Sequence, residues 1–181
     1  MKELSLNILD ISENSVKANA SLVEITVTET SSELILCVKD NGHGMSEDTV
    51  KSVINPFYTT RTTRKVGLGI PLLKMAAEQT GGRIEISSQE GNGACDTHGT
   101  VVTAYFFKNH IDFTPLGDVI STVLTLIQGH PEVDFVFIHN GENSTVRLDT
   151  RELREILEDV PLNSFEVIKW IKGFLEEQYG I

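Results

Sequence analysis

The most informative stretch of the sequence is Leu34-Ile35-Leu36-Cys37-Val38-Lys39-Asp40-Asn41-Gly42-His43-Gly44-Met45. Its first part alternates as a strand does, so Leu34, Leu36, Val38 and Asp40 share one face. Asp40 therefore points where the apolar residues point, and a buried carboxylate needs hydrogen-bond donors to offset its desolvation. The exocyclic amine of a ligand is one such donor. Under the simpler alternative, Asp40 caps backbone N–H groups of a turn whose glycines take positive φ.

A helix with one polar face is predicted upstream of this strand. Residues 3–19 have helical periodicity, and Asp10, Asn14 and Lys17 follow one another at i, i+4 and i+7. One side of the helix thus carries a carboxylate, a carboxamide and an ammonium group. An ordinary solvated helix face has the same composition, so this feature decides nothing by itself.

A third element lies downstream, where Asn55-Pro56-Phe57-Tyr58-Thr59-Thr60-Arg61 leads through Lys65 into Gly67-Leu68-Gly69-Ile70. The glycines directly precede a predicted helix, whose free N–H groups and dipole favour an anion. The Thr, Arg and Lys residues could close over phosphates as a lid. A lone Gly-x-Gly is common at helix starts, and this one matches neither the P-loop nor the three-glycine dinucleotide fingerprint.

The fourth element is His98-Gly99-Thr100, which opens the last strand of this region and could place a hydroxyl in a pocket. Threonine is common in strands, so alone it is uninformative. The other predicted elements of this region are strands over 22–29, 34–39, 83–88 and 100–107, and helices beginning near residues 46 and 69.

Taken in this order and spacing, the four motifs resemble those of the Bergerat-fold ATPases, the superfamily of gyrase, Hsp90, histidine kinases and MutL. The resemblance is closest to the ATP-binding domain of sensor histidine kinases. Asn14 matches the N-box asparagine, residues 40–45 the first glycine box, residues 56–60 the F-box and residues 67–70 the second glycine box. The resemblance covers residues 1 to about 107. It implies an α+β fold, a two-layer sandwich in which helices cover one face of a mixed sheet.

The resemblance also implies ATP and Mg²⁺ as ligands. Asp40 would accept the adenine amine, Thr100 would complete the adenine contacts, Asn14 would bind Mg²⁺ through its amide oxygen, and Lys17 would lie near the phosphates. The other implied cofactor-binding residues belong to the glycine boxes and the lid: Gly42, Gly44, Met45, Thr60, Arg61, Lys65, Gly67, Leu68 and Gly69.

Two carboxylates are candidates for the general base. Asp10 stands four residues before Asn14, where ATP-hydrolysing members of the superfamily carry a glutamate. Its side chain is one methylene shorter, and a base must reach the attacking group to hydrogen-bond distance, so hydrolysis is in question. Glu13 is the second candidate.

The composition narrows the class of protein. The chain has 181 residues, 40% of them hydrophobic and 23% charged, as expected for a folded protein. A net charge of -11 argues against a nucleic-acid partner. The two cysteines have no partner at metal-ligand spacing, and no apolar run reaches the roughly 18 residues of a membrane span. A cytoplasmic location is predicted.

Residues 110–181 carry no motif that we can place. The predicted order is a helix over 116–128, a hairpin of strands 133–138 and 144–149, and helices over 150–159 and 164–178. We therefore predict an ATP-binding domain at 1–109 and a small α-β-β-α-α unit at 110–181, which docks on that domain or presents a surface to a partner protein.

Three hypotheses about function remain open at this point. The first is a phosphotransferase of histidine kinase type that acts in trans on a separate acceptor protein, with an anti-sigma-type Ser/Thr kinase as a close variant. It is favoured because the F-box and lid are closest to the histidine kinase branch. Transfer in trans is expected because none of the histidines (His43, His98, His110, His130 and His139) lies in a recognisable phosphoacceptor helix. The second is a nucleotide-sensing module that binds ATP or ADP without efficient turnover. The third is a slow ATPase that dimerises through its lid. The oligomeric state stays open.

Overall fold

The computed structural model describes residues 3–54, 68–91 and 98–181. Its strands are β1 (Leu22–Glu29), β2 (Glu33–Asp40), β3 (Arg83–Gln89), β4 (Gly99–Phe107), β5 (Asp134–Asn140) and β6 (Thr145–Asp149). Its helices are α1 (Leu4–Lys17), α2 (Glu47–Ile54), α3 (Gly69–Gln79), α4 (Val119–Gly129), α5 (Thr150–Leu157) and α6 (Phe165–Tyr179).

The strands form one mixed sheet in the order β3-β4-β2-β1-β5-β6. Neighbouring strands are antiparallel except β1 and β5, which are parallel. In the register of β2 with β4, Asp40 lies opposite Thr100. Two predicted site residues, 60 positions apart in sequence, are thereby neighbours at one end of the sheet.

One face of the sheet forms the core. Leu34, Leu36 and Val38 of β2 are each at most 2% exposed, and Asp40 follows them on the same face. Helix α1 packs on this face through Leu4, Ile8 and Ile11 and is flanked by α3 and α4, while α6 packs beyond α4. The predicted α+β class, with helices on a mixed sheet, is confirmed. None of the described helices is long and apolar enough to cross a membrane.

The segment after residue 109 continues this sheet. Strand β5 pairs along β1 from Leu22↔Asp134 to Thr28↔Asn140. Phe135 and Phe137 of β5 are at most 1% exposed and belong to the same core as β1 and β2. Sheet and core therefore run across the boundary predicted at residue 109.

Asn7 of α1 is a polar residue buried in the fold. Its side chain is 1% exposed, and neither Oδ1 nor Nδ2 has a hydrogen-bond partner within the part of the chain that the structure describes. Asn7 stands four residues before the buried Ile11, so both lie on one flank of the helix. A buried amide without partners costs about 1–3 kcal/mol.

We expect Asn7→Leu to raise the free energy of unfolding by about 1–2 kcal/mol, because it replaces an unpaired buried amide with an apolar side chain of similar size. Urea denaturation of the variant and wild type measures the difference. Asn163→Leu, at an exposed position, is the control and should change little. A less stable Asn7→Leu protein would show that the amide is hydrogen-bonded in solution.

Candidate nucleotide-binding site

The carboxylate of Asp40 is held by donors from three elements. The hydroxyl of Ser15 on α1 donates to Oδ2 at 2.7 Å, while the backbone N–H groups of Gly42 and Thr100 donate to Oδ1 at 2.9 and 3.2 Å. An ionised carboxylate offers about four acceptor positions. Asp40 thus caps backbone N–H groups, as the turn interpretation predicts, and keeps acceptor capacity for a further donor.

Ser88 connects the turn to the neighbouring strands. Its hydroxyl contacts the Thr100 hydroxyl at 2.8 Å, accepts the backbone N–H of Met45 at 2.8 Å and donates to the Gly99 carbonyl at 3.1 Å. Thr100 is 8% exposed, so these contacts form a buried polar floor beside Asp40.

The turn that follows Asp40 is held in place by hydrogen bonds to its backbone groups. His98 Nδ1 contacts the Gly42 carbonyl oxygen at 2.6 Å, and the His43 N–H donates to the Ala18 carbonyl at 2.9 Å. Gly44 has φ +71°, and a Cβ there would overlap the carbonyl of Gln89. Only glycine fits that position without strain, which explains the second glycine of the motif.

A second cluster lies where α3 begins against α1. A Cβ on Gly69 would lie 3.0 Å from Asp10 Cβ and 3.7 Å from Asn14 Nδ2, so glycine permits the close approach. No side chain of the described residues caps the start of helix α3, which leaves its first N–H groups available to an anion. Asp10 is exposed and Asn14 half-buried beside this helix terminus.

The two clusters share α1, because Ser15, which binds Asp40, directly follows Asn14. Lys17 lies exposed one turn further along, and Leu68 is 65% exposed before α3. Glu13 is engaged elsewhere: its Oε1 accepts a hydrogen bond from His130 Nε2–H at 2.8 Å.

The structure thus brings the described predicted residues into two groups. Asp40, Gly42, Gly44, Met45 and Thr100 surround the turn, and Asp10, Asn14 and Gly69 meet at the start of α3. The predicted F-box at 56–60 lies outside the described residues, as do the predicted lid residues Thr60, Arg61 and Lys65 and the predicted glycine-box residue Gly67.

Sequence reasoning missed Ser15 and Ser88. Ser15 is 3% exposed on the apolar face of α1, and a polar residue on such a face signals a buried hydrogen bond. Ser88 alternates with exposed neighbours in an edge strand, and no pattern in the sequence marks it.

A family model described as "Histidine kinase-, DNA gyrase B-, and HSP90-like ATPase" matches residues 2–111, which is more than half of the chain. The chain belongs to this family. It carries an ATP-binding domain of the histidine kinase type, and the predicted resemblance is confirmed.

Curated relatives include sensor and sporulation kinases. The chain is 30% identical over 96 residues to sporulation kinase C of Bacillus subtilis, covering 52% of this chain and 22% of that protein. It is 32% identical over 76 residues to the sensor histidine kinase ZraS of Escherichia coli, covering 42% and 16%. It is 33% identical over 98 residues to the sensor protein SrrB of Staphylococcus aureus, covering 51% and 17%. The chain thus spans at most 22% of the length of these relatives.

Solved structures share the fold at low identity. The N-terminal domain of a DNA repair protein matches with a TM-score of 0.61 and 13% identity, over 82% of this chain and 53% of that one. The MutL ATPase domain of Aquifex aeolicus, solved with ADP, matches with a TM-score of 0.54 and 15% identity, over 87% and 70%. Both matches cover more of the chain than the family model does, so the shared fold includes part of the segment after residue 111.

Proposed function

We propose that the chain binds ATP with Mg²⁺ and transfers the γ-phosphoryl group in trans to a separate acceptor protein in a signalling system. The approach of Gly69 to Asp10 and Asn14 supports this most directly. It brings a helix N-terminus together with the side chains of Asp10 and Asn14. A helix N-terminus suits polyphosphate, and carboxylate and carboxamide side chains can offer oxygen ligands to a hard cation. The spare acceptor capacity of Asp40 suits the adenine amine.

The residues present fit a magnesium ion only together with phosphate oxygens. Among residues 3–54, 68–91 and 98–181, no group of three His, Cys, Asp or Glu side chains could hold a metal alone. Mg²⁺ commonly uses one or two protein ligands and completes its shell with phosphate and water. Asn14 would be that ligand, and the ion would supply charge neutralisation.

In the transfer step, the acceptor attacks the γ-phosphorus while the bond from that phosphorus to the bridging oxygen of ADP breaks. The chain contributes mainly by positioning both partners. Asp10 is the carboxylate beside the start of α3 and is proposed to take the proton of the acceptor.

Transfer to another protein is supported by the positions of the five histidines, because none of them lies within one of the described helices. Each imidazole also contacts another group of the fold through one ring nitrogen: His43 contacts Gly44, His98 contacts Gly42, His110 contacts Asp112, His130 contacts Glu13 and His139 contacts Tyr179. A protein partner and a cytoplasmic location remain predictions.

The direct test is incubation with γ-labelled ATP, Mg²⁺ and candidate partners. We expect label on a partner and not on this chain, with label lost in Asn14→Ala and kept in the exposed control Asn163→Ala. Acid-labile label would indicate phosphohistidine, and acid-stable label would indicate the Ser/Thr-directed variant. Label on this chain alone would contradict transfer in trans.

A nucleotide-sensing module is the second candidate. It is favoured by Asp10, whose short side chain is exposed and makes no side-chain hydrogen bond to another described residue. Under this function, partner affinity differs between the ATP and ADP states and Asp40→Asn abolishes the difference. If the affinity for the partner is the same in the ATP and ADP states, the nucleotide-sensing function is excluded.

A further inference from the structure

A side-chain hydrogen bond joins the segment after residue 109 to the helix that carries the candidate phosphate-binding residues. His130, which directly follows α4, donates Nε2–H to Glu13 Oε1 of α1 at 2.8 Å. The side chains are 22% and 34% exposed, so water screens the pair only in part. A second carboxylate, that of Glu132, lies 3.9 Å from His130 Nδ1.

Glu13 belongs to the same helix surface as the candidate site. It stands three residues after Asp10 and directly before Asn14, and residues three and four apart on a helix are neighbours. Asp10 and Asn14 meet Gly69 at α3, whereas Glu13 is bonded to the residue that follows α4. The bond to His130 therefore directs the carboxylate of Glu13 toward the end of α4, while Asp10 lies beside the start of α3.

The effect of Glu13 on a bound nucleotide depends on where its carboxylate lies. A glutamate side chain released from His130 has the length to turn toward Asp10 and Asn14, where it would add negative charge beside the phosphates. Because Coulomb repulsion grows as the distance shortens, a Glu13 carboxylate beside the phosphates opposes their binding more strongly than one held at His130. Resting on the proposed function, we infer that His130 is a positioning residue that keeps the carboxylate of Glu13 away from the phosphates.

Other contacts support this role for the segment after residue 109. The N–H groups of Leu4 and Ser5, at the start of α1, donate to the carbonyls of Pro115 and Leu116 at 2.9 and 2.8 Å. The hydroxyl of Thr122 on α4 donates to the Ser5 carbonyl at 3.3 Å. The segment holds α1 at its first turn, and His130 adds a contact beside Asn14.

The test is the dissociation constant of Mg·ATP for the wild type and four variants. His130→Ala is expected to raise Kd about three- to tenfold, in line with the charge repulsion. His130→Gln retains an N–H donor and should return Kd to within about twofold of the wild type, as should His130→Ala combined with Glu13→Gln, which removes the charge. His110→Ala, an exposed histidine with local contacts, is the matched control and should not change Kd.

The double variant distinguishes a positioning role of His130 from a purely structural one. If His130 only stabilised the fold, the double variant would bind as weakly as His130→Ala, and its thermal midpoint would fall in parallel. That result, or an unchanged Kd in His130→Ala, overturns the inference while leaving ATP binding intact. A wild type that binds no nucleotide overturns the proposed function and this inference together.

Discussion

Replacing Asp40 with asparagine is expected to weaken ATP binding at least about 100-fold, because an amide donor then stands where the adenine amine needs an acceptor. Oδ1 already receives the N–H groups of Gly42 and Thr100, and an asparagine oxygen at that position can keep both. The new NH2 group would replace Oδ2 and point at the Ser15 hydroxyl and the ligand. The fold should therefore survive while the acceptor is lost.

Calorimetric titration with ATP and ADP measures the effect, and both nucleotides should lose affinity equally, since adenine is common to them. The control is Asp159→Asn, which removes an exposed carboxylate far along the chain in the α5–α6 connection. Circular dichroism of each variant checks that the fold is retained. Affinity that remains within about threefold of the wild type would place the adenine away from Asp40.

The local alternation and spacing of apolar and polar residues were sufficient to predict these elements of secondary structure. The alternation of Leu34, Leu36 and Val38 predicted both the strand and the inward direction of Asp40, and the structure confirms both. Helical spacing likewise placed Asp10 and Asn14 on one side of α1. Such periodicities are short-range, so one sequence is sufficient to detect them.

The pairing of segments that are distant in the chain could not be predicted from the sequence. Strand β5 was predicted as half of a hairpin, and nothing in its alternation indicates that its other edge pairs in parallel with β1. The bond from His130 to Glu13 joins residues 117 positions apart. Each is fixed by tertiary packing, which leaves no periodic trace in either segment.

The site was predictable in outline because order and spacing of motifs carry more information than any motif alone. Its supporting residues were not. Ser15 and Ser88 each contribute one hydroxyl, and serine is too common at surfaces and turns for its position to indicate a buried hydrogen bond.

Asn14→Ala provides the second large effect, and it should depend on magnesium. If Asn14 supplies an oxygen ligand to the ion, alanine removes it, and the gain in ATP affinity that Mg²⁺ gives the wild type should fall at least about tenfold. Without Mg²⁺, in the presence of a chelator, variant and wild type should bind ATP alike. Asn163→Ala is the matched control, because the same amide is removed at an exposed position outside both clusters.

The magnesium dependence separates the two clusters. Asp40→Asn should weaken binding by the same factor with and without Mg²⁺, because its contacts to Ser15, Gly42 and Thr100 involve no phosphate group. Asn14→Ala should weaken ATP binding only in the presence of Mg²⁺. A loss in Asn14→Ala that persists in the chelator would mean that Asn14 supports Gly69 and the start of α3 rather than the ion. Because Ser15 lies between the two residues in the site, the double variant also reports how far α1 couples adenine binding to phosphate binding.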